Sequence, residues 1–264
     1  MSSLLTIEWL KLKRYKTFWI LISFFVVMLP LWNYCIIKGM INMGSKGVNI
    51  FNPSYSFPAV WSNVGFWGSL FIILLSILVI IITSNEFTFR THRQNVIDGW
   101  SRLQFFHAKV YLVVLLSLIA TLYLFIVGAI FGYVNSGSFS SLFEGTEKVF
   151  YFFLLSINYL GFALFAALLI KRSGLSIGMF LLYVFVIKNI LKGILNYAGD
   201  HLNVGNYLPM QSSSELLPFP LFEMARALLK QTEAPPITAY VIASIAWVIV
   251  YYIVCRMMLL KRDW

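Results

Sequence analysis

The chain has 264 residues, of which 60% are hydrophobic, 17% aromatic and only 11% charged, and it carries a formal net charge of +10. So small a polar complement cannot solvate the surface of a soluble globule, and the composition places the chain in a bilayer. The positive excess does not indicate nucleic acid, because the basic residues fall in short clusters beside apolar runs and no nucleic-acid-binding module accompanies them.

The first sixteen residues, MSSLLTIEWLKLKRYK, are helical in pattern, with Leu5, Trp9 and Leu12 on one side until Lys16 interrupts the stripe. Residues 1–17 read either as an interfacial helix whose lysines reach the headgroups or as a plain basic anchor for the span that follows. That span, Phe18 to Ile37, is too long for the apolar core of a signal peptide and ends in no small-residue cleavage pattern. Further runs able to cross about 30 Å of hydrocarbon lie near 64–83, 110–134, 149–170, 175–196 and 237–260. Their hydrophobicity is continuous rather than alternating, which excludes a β-barrel and predicts an all-α integral membrane protein with six transmembrane helices in one transmembrane domain. Cys35 and Cys255 each sit inside an apolar run and read as small buried hydrophobes.

Lysine and arginine beside the spans set the expected orientation. With six alternating spans, thirteen of them fall on the side of the termini: Lys11, Lys13, Arg14, Lys16, Arg90, Arg93, Arg102, Lys109, Lys171, Arg172, Arg256, Lys261 and Arg262. The other side holds Lys38, Lys46, Lys148, Arg226 and Lys230. Both termini and the connection 84–109 are therefore expected in the cytoplasm, in a cell membrane.

That connection contains EFTFRTHRQNVIDGWSR, the most polar stretch between two spans. Glu86 to Ile97 reads as a helix ending at the turn Asp98-Gly99, with Glu86 and Arg90 spaced to pair along one face. Ser101 and Gln104 form an S-x-x-Q capping box opening the next helix. An i,i+4 pair contributes only about 0.2–0.5 kcal/mol, so stability does not account for the segment. It reads as a charged loop with interfacial aromatics, or as a surface whose Phe87, Phe89 and Trp100 fill a partner's groove.

An acidic residue after the second span, then a threonine and basic residues, then Ser-Arg and a lysine at the third span, resembles the cytoplasmic signature of ABC type-2 permeases. The residues here are Glu86, Thr91, Arg93, Ser101, Arg102 and Lys109, and the Gly-Thr usual in that pattern reads Arg90-Thr91. The resemblance extends over nearly the whole chain and includes the ABCG-like (type V) exporters. It implies that 84–109 is a coupling region in which Glu86, Phe87, Phe89, Arg90, Thr91, Arg93, Ser101 and Arg102 meet a separate ATP-binding subunit. The sequence shows no G-x-x-x-x-G-K-[ST] loop. The resemblance therefore implies two copies of an ATPase subunit that bind ATP and Mg, a second permease subunit, identical or related, and no cofactor in this chain.

Further along, the connection 197–236 is long and proline-rich, and LFEMARALLKQ within it has helical spacing, predicting a short extracellular helix on or dipping into the membrane. Lys188 and Lys192 lie four apart within the fifth span, with Asn189 adjacent. They either face a translocation path, where they suit an anionic substrate or lipid headgroup, or snorkel to the outer interface. Ser69 and Ser76, seven apart on the second span, are read as candidates for the same path or as close-packing positions. His92, His107 and His201 have no second ligand at metal spacing. The expected function is export of a peptide, drug, lipid or glycan driven by a partner's ATP hydrolysis. Its rivals are a sensor or assembly factor on the same fold and an intramembrane enzyme, for which no H-E-x-x-H, G-x-S-x-G or paired intramembrane carboxylates appear.

Overall fold

The computed structural model describes residues 2–40, 55–91, 97, 99–198, 203–219 and 236–261. Its helices are α1 (Ser2–Lys13), α2 (Lys16–Ile37), α3 (Ala59–Thr88), α4 (Arg102–Ser136), α5 (Glu147–Ile170), α6 (Ser173–Ala198), α7 (Gln211–Ser214) and α8 (Ile237–Lys261). Six of these, α2 to α6 and α8, are long and apolar enough to cross a membrane, and no strand occurs among the described residues. The chain is an all-α integral membrane protein.

Continuous helix is the conformation that satisfies backbone polar groups where lipid offers them nothing. The exceptions are compensated. Pro30 inside α2 has no N–H for the carbonyl of Val26, and the hydroxyl of Tyr123 on α4 donates to that carbonyl instead, at 2.5 Å. Further along the same helix, the buried Asn33 is satisfied by donating from Nδ2 to Leu29 O at 2.7 Å. The α4 N-terminus is closed by the expected capping box: Gln104 N donates to Ser101 Oγ at 3.1 Å and Ser101 N to Gln104 Oε1 at 2.8 Å.

α3 and α5 form the middle of the bundle, burying Leu78, Ile80, Phe152 and Leu160 completely. α2 and α4 pack beside α3, and α8 packs on α5. Outward faces of α2, α4, α6 and α8 expose Phe24, Leu122, Phe185 and Ile249, as helices bathed in lipid or covered by another subunit do. α6 is α-helical except over Tyr183–Ile187, where it widens to a π-helical turn, and regular geometry resumes at Lys188.

Past α6 the chain folds back between helices. Residues 203–219 bury Met210, Ser212, Ser213, Leu216 and Leu217, and are tied to α8 by bonds from Trp247 Nε1 to Tyr207 O (2.8 Å) and from Asn206 Nδ2 to Tyr240 Oη (3.0 Å). Gly205 lies so close to α6 that a Cβ there would sit 2.5 Å from the carbonyl oxygen of Lys192. The expected helix at LFEMARALLKQ, residues 221–231, lies outside the described residues.

Candidate functional site

Where α1, the end of α3 and the start of α4 meet, four charged side chains converge. Lys109 Nζ on α4 stands 2.7 Å from Glu86 Oε1 on α3 and 2.8 Å from Glu8 Oε2 on α1. Lys11 Nζ lies 3.2 Å from the same Glu86 oxygen and 3.4 Å from Glu8 Oε1. Lys109 is 1% exposed and Glu8 2%, and with the partly exposed Lys11 at its edge the group is a charge-balanced cluster of two ammoniums and two carboxylates. Taking such ions out of water costs several kcal/mol each, roughly offset only when every charge keeps close partners. Burial alone would raise the Glu8 carboxyl, but the ammoniums of Lys109 and Lys11 outweigh it and hold the group below its ordinary range.

The sequence led to a different partner for Glu86. A continuous helix from Glu86 to Ile97 was needed to bring Arg90 alongside it, whereas α3 ends at Thr88 and Arg90 takes φ 56°, in the left-handed region. That break removes the i,i+4 geometry and leaves Glu86 turned inward. Arg90 occupies the position that the resembled pattern fills with glycine, which explains why glycine suits it. Helical backbone resumes at Thr91, whose hydroxyl donates to Glu86 O at 3.4 Å. Arg93 lies outside the described residues.

The same junction gathers the other connections at this end. Phe87 packs edge-on against Phe105, centroids 6.1 Å apart, and Lys171, between α5 and α6, places its ammonium 5.2 Å from the Phe87 ring. Lys11 lies 5.7 Å from the Trp100 ring, and Asn85 Nδ2 donates to Tyr15 Oη at 2.9 Å. Ser101 caps α4 and Arg102 is its first residue. Phe89, by contrast, is 71% exposed. It rims a cleft of about 290 Å³ together with Thr91, Lys11, Tyr15 and Ile82.

At the opposite end, a cavity of about 610 Å³ opens between α3, α6 and the returning segment 211–219. Ser69, Lys188, Asn189 and Lys192 all line it, so four of the five path candidates share one space. Ser76 does not line it: its hydroxyl is buried and donates to Ile72 O at 3.1 Å, a packing role. Lys188 does not snorkel outward. It is 7% exposed and donates to Tyr159 Oη (2.9 Å) and Ser214 Oγ (3.2 Å). Lys192 forms an ion pair with Glu215, which also accepts from Gln211 Nε2.

Glu8, Lys11, Tyr159, Ser214 and Glu215 complete these two sites and were missed by sequence reasoning. Glu8 left one signal, a single carboxylate in an otherwise basic helix. It also shows why the stripe of Leu5, Trp9 and Leu12 misled. The buried side of α1 carries Glu8 and Leu12, while Trp9 is 48% exposed and meets Phe18 and Trp19 edge-on.

A family model described as ABC-2 family transporter protein matches residues 4–187. The match takes in the whole charge cluster, Ser69 and Tyr159, and stops one residue before Lys188. No curated protein matches the chain.

Proposed function

The chain belongs to the ABC-2 transporter family, and from that premise we propose that it is the permease subunit of an ATP-driven exporter, coupled to ATP hydrolysis by a separate subunit. The end carrying α1 faces the cytoplasm of the cell, as the excess of lysine and arginine there favours. Two ATP-binding subunits, which bind ATP and Mg, dock on the segment after α3. A second permease subunit, identical or related, completes the assembly.

The observation that carries this reading is the contrast between Phe89 and its base. A large apolar side chain stands 71% exposed at a helix break, while Glu86, three residues before it, is locked by Lys109 and Lys11 to two other helices. An exposed aromatic on a rigid mount is suited to filling a partner's groove. Displacement of the mount is passed to α3, α4 and α1 together, because separating them would leave buried charges unpaired. Cargo moves along α3 and α6, where the large cavity lies.

The test is co-purification of an ATP-binding subunit with the chain from its native membrane, followed by substrate-stimulated ATP hydrolysis. Phe89→Ala and the charge reversals Arg90→Glu and Arg93→Glu are expected to lower both while the permease remains folded. Intact binding and coupling in all three variants would sink the docking assignment. Binding without any substrate-stimulated hydrolysis would favour the sensor reading instead.

A further inference from the structure

Among the described residues Lys188 is a cation without an anion. Its ammonium has three N–H donors, of which two are taken by the neutral hydroxyls of Tyr159 and Ser214. No carboxylate of the described residues pairs with it, because the nearby Glu215 is engaged by Lys192 and Gln211. Among the described residues, the cavity wall thus carries two ammoniums against one carboxylate. A buried ammonium held only by neutral partners is costly in the span of a membrane protein, and one facing a cavity is a standing receptor for a negative group.

The surroundings define the rest of that ligand. Leu70 on α3 and Phe185 on α6 line the cavity and are 43% and 58% exposed, so its mouth is apolar and opens to the flank of the bundle. The exposed face of α6 continues as Leu182, Val186 and Ile190. A charged interior behind an apolar lateral mouth matches a molecule with an anionic head and hydrocarbon tails. The volume of about 610 Å³ falls within the range of roughly 300–1,000 Å³ typical of ligand sites, enough for a headgroup while the tails remain on the α6 face.

We infer that Lys188 receives the phosphate of an anionic phospholipid entering the cavity sideways between α3 and α6. The remaining N–H of Lys188 donates to a phosphate oxygen, and Lys192, tied to Glu215, adds a weaker field. This deepens the permease reading by naming a ligand class, and it rests on that reading only for which leaflet supplies the lipid.

The experiment is native mass spectrometry of the full chain in detergent. It compares phosphatidylglycerol with phosphatidylcholine of the same acyl chains, in the absence of any ATPase subunit. The wild type is expected to retain phosphatidylglycerol roughly tenfold better, because the choline of phosphatidylcholine already neutralises its own phosphate while the phosphate of phosphatidylglycerol has no counter-charge but the lysine. Lys188→Met abolishes that preference, and Lys38→Met, at the exposed end of α2, keeps it. Lys188→Met also holds or raises Tm, since Tyr159 and Ser214 still bond each other at 3.0 Å. Equal retention of the two lipids by the wild type, or an unchanged preference in Lys188→Met, overturns the inference. So does displacement of phosphatidylglycerol by excess inorganic phosphate, which would mark a site for free anions. If neither Lys188→Met nor Lys188→Gln folds, Lys188 is structural and the inference falls. Because no ATPase takes part, failure here leaves the permease assignment standing, and loss of ATPase docking leaves this site standing.

Discussion

Lys109 shows how much one side chain can hold together in an apolar chain. It stands between Glu8 and Glu86, both within 2.8 Å, and the three come from three different helices. Lys109→Met removes the buried ammonium that faces both carboxylates, and the expected loss is about 3–5 kcal/mol, read as a fall in Tm. Adding Glu8→Gln and Glu86→Gln to that variant should recover much of the loss, because no buried charge then lacks its counterion; no recovery would mean that shape, not charge, holds the junction. Arg90 illustrates the opposite case. At φ 56° it holds a conformation that costs a non-glycine residue about 1–2 kcal/mol. Arg90→Gly should therefore raise Tm slightly, the relief of strain exceeding the cost of about 1 kcal/mol at most that glycine adds by loosening the unfolded chain. A clear drop in Tm would show that the Arg90 side chain contributes to the fold.

At the scale of elements, the fold depends on neighbours supplying what a helix cannot. α2 carries a proline in mid-span, and its orphaned Val26 carbonyl is satisfied from α4 by Tyr123. Tyr123→Phe should cost about 1 kcal/mol in the wild type. In a Pro30→Ala background the restored N–H can serve Val26, so the same change should cost less; a double-mutant cycle with no coupling would reject this account. The π-helical turn in α6 and the inserted α7 act on the far cavity in a related way. The first lies immediately before Lys188, and the second brings Ser214 beside it while Glu215 reaches Lys192. Gly205 permits the close approach, since its missing side chain lets the returning segment rest against the backbone of α6 at Lys192.

Across the whole molecule, the two sites are joined by α3. α3 carries Glu86 at one end and Ser69 in the cavity toward the other, so a rigid movement of α3 reaches both. This geometry makes orientation testable. In a chain with Cys35 and Cys255 replaced by serine, a cysteine at Lys148 should react with a membrane-impermeant maleimide on intact cells, and one at Lys171 only after the cells are opened. The reverse labelling pattern would invert the topology and with it the proposed docking face.

Much of this was written along the chain. Six apolar runs determined an all-α membrane bundle, because a segment surrounded by lipid must satisfy its own backbone. The capping box at Ser101 was legible for the same reason, as it joins residues three apart. What periodicity could not reach was any choice between distant partners. Glu86 could be matched with Arg90 only on the assumption of unbroken helix, and a left-handed residue at the junction cancelled that assumption. Among the described residues it pairs with Lys11, 75 residues before it, and with Lys109, 23 after it. Likewise Lys188 and Lys192 were equivalent as letters in one span, and only tertiary packing distinguished them: the returning segment gives Lys192 a carboxylate, while Lys188 donates to the hydroxyls of Ser214 on that segment and Tyr159 on α5. The sequence by itself determined where the chain meets lipid; tertiary structure decided which partners each buried charge finds, because that depends on helices brought together from far apart.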